Sequence, residues 1–307
     1  MLVFRGFSRP APRATALAIG NFDGVHRGHR ALLERLRATA ESEGLLPAVL
    51  TFEPHPREFF SPSAAPARLS VLREKLEMFA GEGVAFCCVA RFDAALAALA
   101  AEDFIAGIVA GCLKAGYLVV GDDFRFGAGR EGGFALLRAA GERHGFRVER
   151  VRSVTVDGER VSSSAARAAL AAGEMRRAAR LLGHPYAIDG RVAHGDKLAR
   201  DLGFATANIH IKHGNPPLSG VFAVEARGLA DGPRRGIANL GVRPSARRLA
   251  RPLLEVHLLD FHADIYGAHL SVSFEHKLRD ETHFPSLAAL RSQIARDIES
   301  ARQYFKH

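Results

Sequence analysis

The hydrophobic periodicity of the chain changes near residue 186, and this change limits the fold more than any other feature of the sequence. Over residues 16–185, short apolar runs alternate with segments whose apolar residues recur every three or four positions. Strands that alternate with helices predict an α/β domain, in which a parallel sheet carries helices on both faces. Ligands of such domains bind where the carboxyl ends of the strands meet helix N-termini.

The elements of this first part can be placed segment by segment. The predicted strands are "ALAIG", "LPAVLTFE", "VAFCCVARF", "YLVVGDDF" and "FRVERVRSV". The predicted helices cover 29–42, "RLSVLREKLEMFAGEG", "AAEDFIAGIVAGC" and "FALLRAAGERHG". The second helix has an apolar stripe formed by Leu69, Leu72, Leu76 and Phe79.

After residue 186, short strand-like segments separated by Gly, Pro and Asn turns replace this pattern. The segments are "YAIDGRVA", "GVFAVEARG", "RRGIANLG", "PLLEVHLLDF" and "AHLSVSFEH". Alternation is clearest in the fourth segment, where Leu254, Val256 and Leu258 face one way and Glu255, His257 and Leu259 the other. Such strands predict an antiparallel barrel or sandwich.

A terminal helix is predicted after the last strand, with Ser286 as its N-cap. Its apolar positions are Leu287, Leu290, Ile294, Ile298 and Ala301. The chain therefore divides into two predicted domains of different class, residues 1–185 and residues 186–307.

Composition narrows the kind of protein. No apolar run reaches the roughly 18 residues of a membrane helix, and residues 1–15 lack the apolar core of a signal peptide. Cys87, Cys88 and Cys112 form no C-x-x-C motif and cannot all pair within one chain. We therefore expect a cytoplasmic protein with no membrane segment.

The net charge of +9 favours a polyanionic partner, either a nucleic acid or a phosphorylated small molecule. The 36 arginines among the 42 basic residues are scattered along the chain. Where arginines cluster, over 243–251, no interleaved aromatic residue offers a base-stacking surface. These features argue against a nucleic-acid partner.

The stretch "AIGNFDGVHRGHRALLERL" stands where the first predicted strand gives way to a helix. Glycines at positions 20, 24 and 28 let the backbone turn tightly and approach a ligand. A helix that starts near His29 offers unpaired N–H groups and a dipole that favours anions. His26 and His29 could donate to phosphate oxygens there. A plain turn, or a metal site at H-x-x-H, are the alternatives, and no further ligand lies nearby at metal-site spacing.

The H-x-G-H arrangement after a first strand resembles the nucleotidyltransferase superfamily, whereas the Walker motif is absent. The resemblance implies a Rossmann-like domain that joins the α-phosphate of a nucleotide to a phosphorylated acceptor. It implies catalytic roles for His26 and His29 and nucleotide contacts from Gly20, Phe22, Asp23 and Gly28.

Three further segments, "TFEPHPREFF", "VVGDDFRFGAGREG" and "VSSSAARAALAAGEMRRAARLLG", resemble the FMN adenylyltransferases of bacteria. As a whole the chain is similar to the bifunctional riboflavin kinase/FAD synthetase family. The resemblance implies that the flavin is bound by Phe52, His55, Pro56, Phe59 and Phe126. It implies nucleotide contacts from Asp123, Ser162, Ser163, Ser164 and Arg167. Ser164 and Ala166 depart from the usual Thr and Ile.

"GRVAHGDKLARDLGFATANI" resembles the opening of riboflavin kinases, which form a barrel. The resemblance implies nucleotide contacts from Gly190 and Gly195 and a magnesium site at Thr206 and Asn208, whose hard oxygens suit the ion. Ala199 and Ala205 replace a usual glycine and proline.

Glu255, in the segment "LEVH", is implied as the kinase base. Without the resemblance, the alternation favours an outward-facing strand carboxylate. The resemblance also implies flavin contacts from Arg243, Arg279 and Glu281.

These expectations describe an enzyme that phosphorylates riboflavin to FMN and then adenylylates FMN to FAD, with Mg²⁺ and ATP as cofactor and co-substrate. Three rival hypotheses remain at this stage. They are a nucleotidyltransferase with another product, an RNA-binding protein related to class I tRNA synthetases, and a chain with a working transferase but an inactive kinase.

Overall fold

The computed structural model describes residues 1–193, 206–243 and 251–306. The chain forms two compact units, Met1–Pro66 with Leu72–Val161 and Ala67–Val71 with Ser162–His307. The second unit thus includes a short segment from the first half of the chain and the two helices that precede the barrel. The predicted boundary between residues 185 and 186 stays a prediction.

The first unit contains a six-stranded sheet in the order β1-β4-β3-β2-β5-β6, and every neighbouring pair is parallel. Its strands are β1 (Leu2–Arg5), β2 (Thr15–Ile19), β3 (Leu46–Glu53), β4 (Phe86–Arg91), β5 (Ala115–Gly121) and β6 (Arg147–Val151). A two-stranded hairpin follows, formed by β7 (Thr155–Val156) and β8 (Glu159–Arg160). The prediction of a parallel α/β sheet is confirmed, although β1 was not predicted.

Helices cover both faces of this sheet. They are α1 (Arg27–Ser42), α2 (Pro56–Phe60), α3 (Leu72–Gly81), α4 (Ala94–Ala97), α5 (Ala101–Asp103), which runs on as a π-helix (Phe104–Cys112), and α6 (Phe134–His144). Two short 3₁₀ turns lie at Pro62–Ala64 and Ala128–Arg130. Leu33 and Leu36 of α1 and Phe79 of α3 pack on one face, and Phe104 and Leu137 pack on the other. All five residues of β2 are buried, as expected for a central parallel strand covered on both sides.

The second unit contains a closed antiparallel barrel in the order β10-β13-β12-β11-β14-β9. Its strands are β9 (Ala187–Ala193), β10 (Ala207–Ile211), β11 (Gly220–Arg227), β12 (Arg234–Arg243), β13 (Arg251–Leu258) and β14 (His269–Arg279). Barrel closure decides between the two predicted alternatives, and β10 is an additional strand that the sequence did not predict.

Alternate side chains of β13 point into the barrel interior. Leu254 and Val256 are fully buried, whereas Glu255 and His257 on the opposite face are partly exposed. The predicted facing of this strand is confirmed.

The described part of the second unit also contains the helices α7 (Ser163–Ala171), α8 (Met175–Leu182) and α9 (Leu287–Tyr304). Ser286 caps α9 by accepting a hydrogen bond from the Ala289 N–H at 3.2 Å, as predicted. Ile294, Ile298 and Ala301 pack over the barrel's outer surface at Ala223 and Ile237. The predicted stripe is wrong at its first position, because Leu287 in the first turn is 55% exposed.

No helix in the described parts of the chain has the length and apolar character needed to cross a bilayer. All three cysteines are free thiols. Burial raises the pKa of Cys87 and of Cys88 to about 12, so both remain protonated.

Candidate active sites

The strand order of the first unit reverses direction between β2 and β5. The chain moves from β2 outward through β3 and β4, and then returns to β5 on the other side of β2. In open α/β sheets, ligands bind outside the carboxyl ends of the strands at such a point. Gly20 follows β2 there, and Asp122 follows β5. The topology therefore brings the predicted nucleotide loop and the "GDDF" segment to one edge of the sheet.

The loop after β2 has an unusual backbone. Phe22, Gly24 and Val25 have positive φ angles of 51°, 79° and 36°. Phe22 and Val25 are buried, so core packing holds them in this sparsely populated region. Gly20 and Gly28 instead let aromatic rings pack closely against the backbone. A Cβ at Gly20 would lie 3.2 Å from the Phe22 ring, and a Cβ at Gly28 would lie 3.2 Å from the His26 ring.

His26 is the N-cap of α1. Its Nδ1 accepts a hydrogen bond from the His29 N–H at 3.3 Å. Because Nδ1 accepts, the proton of the neutral ring is on Nε2. The predicted anion-binding role of His26 therefore falls to Nε2, and one of the helix N–H groups is already satisfied by the cap.

His29 lies flat against His26, with ring centroids 3.6 Å apart and an angle of 14° between the planes. Burial, then the charge of His26 and then that of Lys75, hold the pKa of His29 well below 6.5. Its Nδ1 is buried and has no hydrogen-bond partner among the described residues. The ring is thus neutral in the folded protein, and it carries a polar atom that a bound group could satisfy.

Lys75 is a member of this neighbourhood that the sequence reasoning missed. It lies on α3 and is 3% exposed, and its charge acts on both His29 and Cys87. A buried cation near His29 favours an anion there. The available signal was a lysine three residues after Leu72 and four before Phe79, on the apolar stripe of the helix.

The carboxylates after β5 differ in their surroundings. Asp122 accepts hydrogen bonds from the Ser153 N–H at 3.1 Å and from the Ser153 hydroxyl at 2.8 Å. The Ser153 bonds lower the pKa of Asp122. Asp123, the predicted nucleotide contact, is mostly exposed and pairs with Arg160 at 3.0 Å. Asp122 and Arg160, which the sequence reasoning did not single out, are therefore additional candidate site residues.

Four phenylalanines form a cluster at the end of α2. Phe59, Phe60 and Phe92 have ring centroids 5.3–5.6 Å apart, and Phe52 lies 5.9 Å from Phe92. Phe59 is 37% and Phe60 64% exposed. Exposed aromatic rings grouped in this way offer a surface on which a planar ring system could stack.

His55 and Pro56, two more predicted flavin contacts, begin the helix beside this cluster. His55 is the N-cap of α2 and forms a capping box with Glu58, and Pro56 is the first helical residue. Both therefore have a structural role in positioning Phe59.

Phe126, the remaining predicted flavin contact of this unit, lies in the core. It is 7% exposed, with the rings of Phe104 and Phe124 at 5.5 and 5.6 Å. A Cβ on Gly132 would overlap its ring. The structure thus groups Phe126 with the core, and its flavin contact stays a prediction.

The "SSS" segment begins α7 in the second unit. Ser162 caps the helix by accepting from the Ala165 N–H at 3.1 Å, and Ser163 and Ser164 form its first turn. Arg167 donates through Nε to the Ala67 carbonyl at 2.6 Å. This bond holds the guanidinium beside the early segment that belongs to the same unit.

The barrel aligns three polar residues on its outer face. In the strand register, Glu255 of β13 pairs with Asn208 of β10 on one side and with Asn239 of β12 on the other. Directly paired residues share a face, with Cβ atoms about 4.5–5.5 Å apart. The structure therefore brings the predicted base next to the predicted magnesium ligand, and adds Asn239, which the sequence reasoning missed.

Glu281 lies over the same face. Its carboxylate covers Gly241, where a Cβ would overlap the carboxylate oxygens. Gly241 is two residues beyond Asn239 on β12, so both lie on the outer face. Three of the predicted kinase residues, Asn208, Glu255 and Glu281, are thus brought together.

Arg279 is held by α9. It donates to both oxygens of Asp297 at 2.8–3.1 Å and to the Asp280 carbonyl at 2.9 Å. Asp297 is 4% exposed. These bonds occupy all three guanidinium nitrogens, so the arginine anchors the terminal helix, and its flavin contact stays a prediction.

The other predicted kinase residues are only partly described. A Cβ on Gly190 would overlap Ile209 and the His210 carbonyl of the neighbouring strand, so this glycine permits close strand packing. Gly195, Ala199 and Ala205 lie outside the described residues, as does the side chain of Arg243.

Oxygen donors on the outer face fit a magnesium ion. Thr206 directly precedes β10, and Asn208 lies within it. Among the described residues, no group of three or more His, Cys, Asp or Glu could hold a metal. Mg²⁺ usually takes few protein ligands together with substrate phosphates, so this sparse oxygen set suits an ion that arrives with a nucleotide.

Comparison with known proteins matches each part of the chain to a family. The FAD synthetase model matches residues 8–165, and the riboflavin kinase model matches residues 182–305. The bifunctional riboflavin kinase/FMN adenylyltransferase of Escherichia coli K12 is 47% identical over 308 residues, which cover 99% of this chain and 98% of that protein. The chain belongs to the bifunctional riboflavin kinase/FMN adenylyltransferase family. The family is one of transferases.

Other members of the family match over nearly the same length. The Pseudomonas fluorescens protein is 48% identical over 295 residues, which cover 96% of this chain and 94% of that protein. A solved structure described as a macrolide-efflux protein from Streptococcus pneumoniae has a TM-score of 0.83 and 26% identity, covering 98% of this chain and 99% of that one. The efflux description belongs to that protein, and the similarity to this chain lies in the fold.

Proposed function

We propose that the chain transfers the γ-phosphate of ATP to riboflavin, which gives FMN and ADP, and then transfers AMP from a second ATP to FMN, which gives FAD and pyrophosphate. The observation that carries the proposal is the alignment of Asn208 and Glu255 on the barrel's outer face, with Glu281 above the adjacent glycine. Membership of the family supports both reactions.

In the kinase reaction, the 5′-hydroxyl oxygen of riboflavin attacks the γ-phosphorus while the bond to the β–γ bridging oxygen breaks. Glu255 accepts the hydroxyl proton. Asn208 and Thr206 hold the metal–nucleotide complex by their oxygens, and Glu281 contacts the flavin. Mg²⁺, when bound with ATP, neutralises phosphate charge and aligns the transferring group.

In the adenylyl transfer, a phosphate oxygen of FMN attacks the α-phosphorus, and pyrophosphate leaves with the α–β bridging oxygen. The Nε2–H of His26 donates to phosphate oxygen, and neutral His29 supplies a second polar contact from its stacked position. Both act as preorganised electrostatic groups, because this transfer needs no covalent enzyme intermediate. The exposed phenylalanines near α2 provide a surface for the flavin ring.

The two proposed reactions belong to two segments of the chain. Residues 1–185 form the adenylyltransferase and residues 186–307 the kinase, and the family matches at 8–165 and 182–305 support this division. The partners are riboflavin, FMN and ATP. Three free thiols suit a reducing compartment, which supports a cytoplasmic location.

One incubation tests the proposal. The protein is mixed with riboflavin, ATP and Mg²⁺, and the flavins are separated by chromatography over time. FMN should appear first and FAD later. With EDTA in excess over Mg²⁺, neither should form.

A second incubation starts from FMN and ATP and isolates the adenylyl transfer. FAD and pyrophosphate in equal amounts support this half of the proposal. FAD from FMN without FMN from riboflavin would show a transferase with an inactive kinase. Absence of all flavin products from the folded protein would reject both activities.

A further inference from the structure

Asn239 has a feature that neither of its polar neighbours shares. Its side chain is partly buried, and Oδ1 is fully covered with no hydrogen-bond donor in the described part of the barrel. Buried amide oxygens are rarely left unsatisfied, because the desolvation cost is about 1–3 kcal/mol. This position therefore calls for a donor that is not among the described protein groups.

The protein neighbours of Asn239 define what that donor can be. Glu255, its register partner, has a carboxylate that only accepts, so the amide Nδ2–H₂ is the group suited to face it. On β11 the register partner is Val221, which is apolar. Ala238 and Leu240, the chain neighbours, point into the barrel core. None of these described neighbours offers a donor to Oδ1, which a ligand hydroxyl or a cation would satisfy.

The order of residues around the barrel decides between these two partners. Asn208, Glu255 and Asn239 follow one another across β10, β13 and β12, so the base separates Asn239 from the proposed metal ligand. Along β12, two residues beyond Asn239 on the same outer face, lies Gly241, which Glu281 covers. With Glu281 as the proposed flavin contact, Asn239 lies near both the base and the flavin, where the polyol chain of the substrate would pass to bring its terminal hydroxyl to Glu255.

We propose that the amide oxygen of Asn239 accepts a hydrogen bond from a ribityl hydroxyl of riboflavin and so orients the 5′-hydroxyl toward Glu255. This inference rests on the proposed kinase function. Asn239 is a substrate-binding residue for the polyol, and it distinguishes flavins that carry hydroxyls from those that lack them.

Asn239→Ala in the full-length chain tests the inference by steady-state kinetics of FMN formation. Loss of a neutral hydrogen bond costs about 0.5–1.5 kcal/mol, so kcat/KM for riboflavin should fall about 2- to 12-fold. The KM for MgATP should not change. Lumiflavin, which has a methyl group in place of the ribityl chain, should inhibit riboflavin phosphorylation with the same Ki in the variant and the wild type.

Ser271→Ala is the matched control, because Ser271 is a partly buried polar residue on the outer face of β14 and is not a register partner of Asn239 or Glu255. It should leave all three parameters unchanged. Asn239→Ser keeps a smaller acceptor and should show a lesser loss of the same kind, and it serves if the alanine variant fails to fold by circular dichroism.

Three results would overturn the inference. The first is an unchanged kcat/KM for riboflavin. The second is a lumiflavin Ki that rises as much as riboflavin binding weakens, which would show a structural role. The third is a raised KM for MgATP, which would place Asn239 on the metal side. A wild-type protein that forms no FMN would instead reject the proposed kinase itself, and the inference with it.

Discussion

Gly241→Ala should slow the kinase reaction by displacing Glu281, without unfolding the barrel. The new Cβ would overlap all three carboxylate atoms of Glu281. To restore ordinary van der Waals separations of about 3.5–4.0 Å, the carboxylate must retreat by roughly 1–2 Å. Displacements of that size in a positioned group can cost about 100-fold in rate.

The fold should tolerate this substitution. Gly241 is not among the glycines with positive φ, and Glu281 is an exposed, flexible side chain that can swing away. Replacing glycine by alanine within a strand can even stabilise it by about 0.5–1 kcal/mol. The melting temperature should therefore stay within a few degrees of the wild type.

The size of the loss can be bounded from the interaction removed. A hydrogen bond to a charged group contributes about 1.5–3 kcal/mol, which is about 10- to 150-fold in kcat/KM for riboflavin. FAD formation from supplied FMN should not change, because Glu281 is not among the residues proposed for that reaction. Chromatographic assays of the two reactions measure both outcomes.

A double-mutant cycle makes the argument sharper. Once Glu281→Ala has removed the carboxylate, adding Gly241→Ala should cause little further loss, since the two changes act through one group. Additive losses would show that Gly241 acts on something other than Glu281. Full kinase activity in Gly241→Ala would refute the role of Glu281 altogether.

Three further predictions concern other residues. His29→Ala should reduce FAD formation from FMN by about 10²–10³-fold and leave FMN formation intact, as measured by chromatography, and equal loss of both would argue against separate sites. His29 also predicts a pH effect, because its pKa in the folded protein lies below 6.5 and the unfolded state therefore binds more protons as the pH falls from 6.5. The wild type should thus lose more stability toward pH 5 than a His29→Asn variant, as measured by thermal denaturation. Glu255→Gln should reduce FMN formation by at least about 10² while FAD formation from FMN is retained, and a loss below tenfold would end its assignment as base.

Most of the architecture could be predicted from the sequence, because hydrophobic periodicity reports on which face is buried. The strands of the parallel sheet other than β1, and the facing of Leu254 and Glu255, follow from this signal. β1 and β10 were not predicted, and length alone does not explain this, because β2 and β6 are equally short. Leu287 was misplaced because helical spacing continues into the first turn of α9, where the leucine side chain stays 55% exposed.

The candidate sites were less predictable, since they depend on neighbours that are distant in sequence. Motif resemblance predicted roles for His26, His29 and Glu255, and these stay predictions. The pairing of Glu255 with Asn239 depends on barrel register, and the influence of Lys75 on His29 depends on how α3 packs. No local pattern reveals that Asp297 engages Arg279.

The membership of Ala67–Val71 in the second unit has a consequence for synthesis on the ribosome. These residues emerge early, but the chain that completes their unit, from Ser162 onward, follows about 90 residues later. At translation speeds of roughly 5–20 residues per second, the delay is about 5–20 s. During that interval Leu69, which is 2% exposed in the finished protein, lacks most of its own unit and is exposed to solvent. The first unit meanwhile folds from two segments that Ala67–Val71 separates. Slower translation of that stretch would prolong this exposure, so the codon usage of residues 72–161 should influence the yield of folded enzyme.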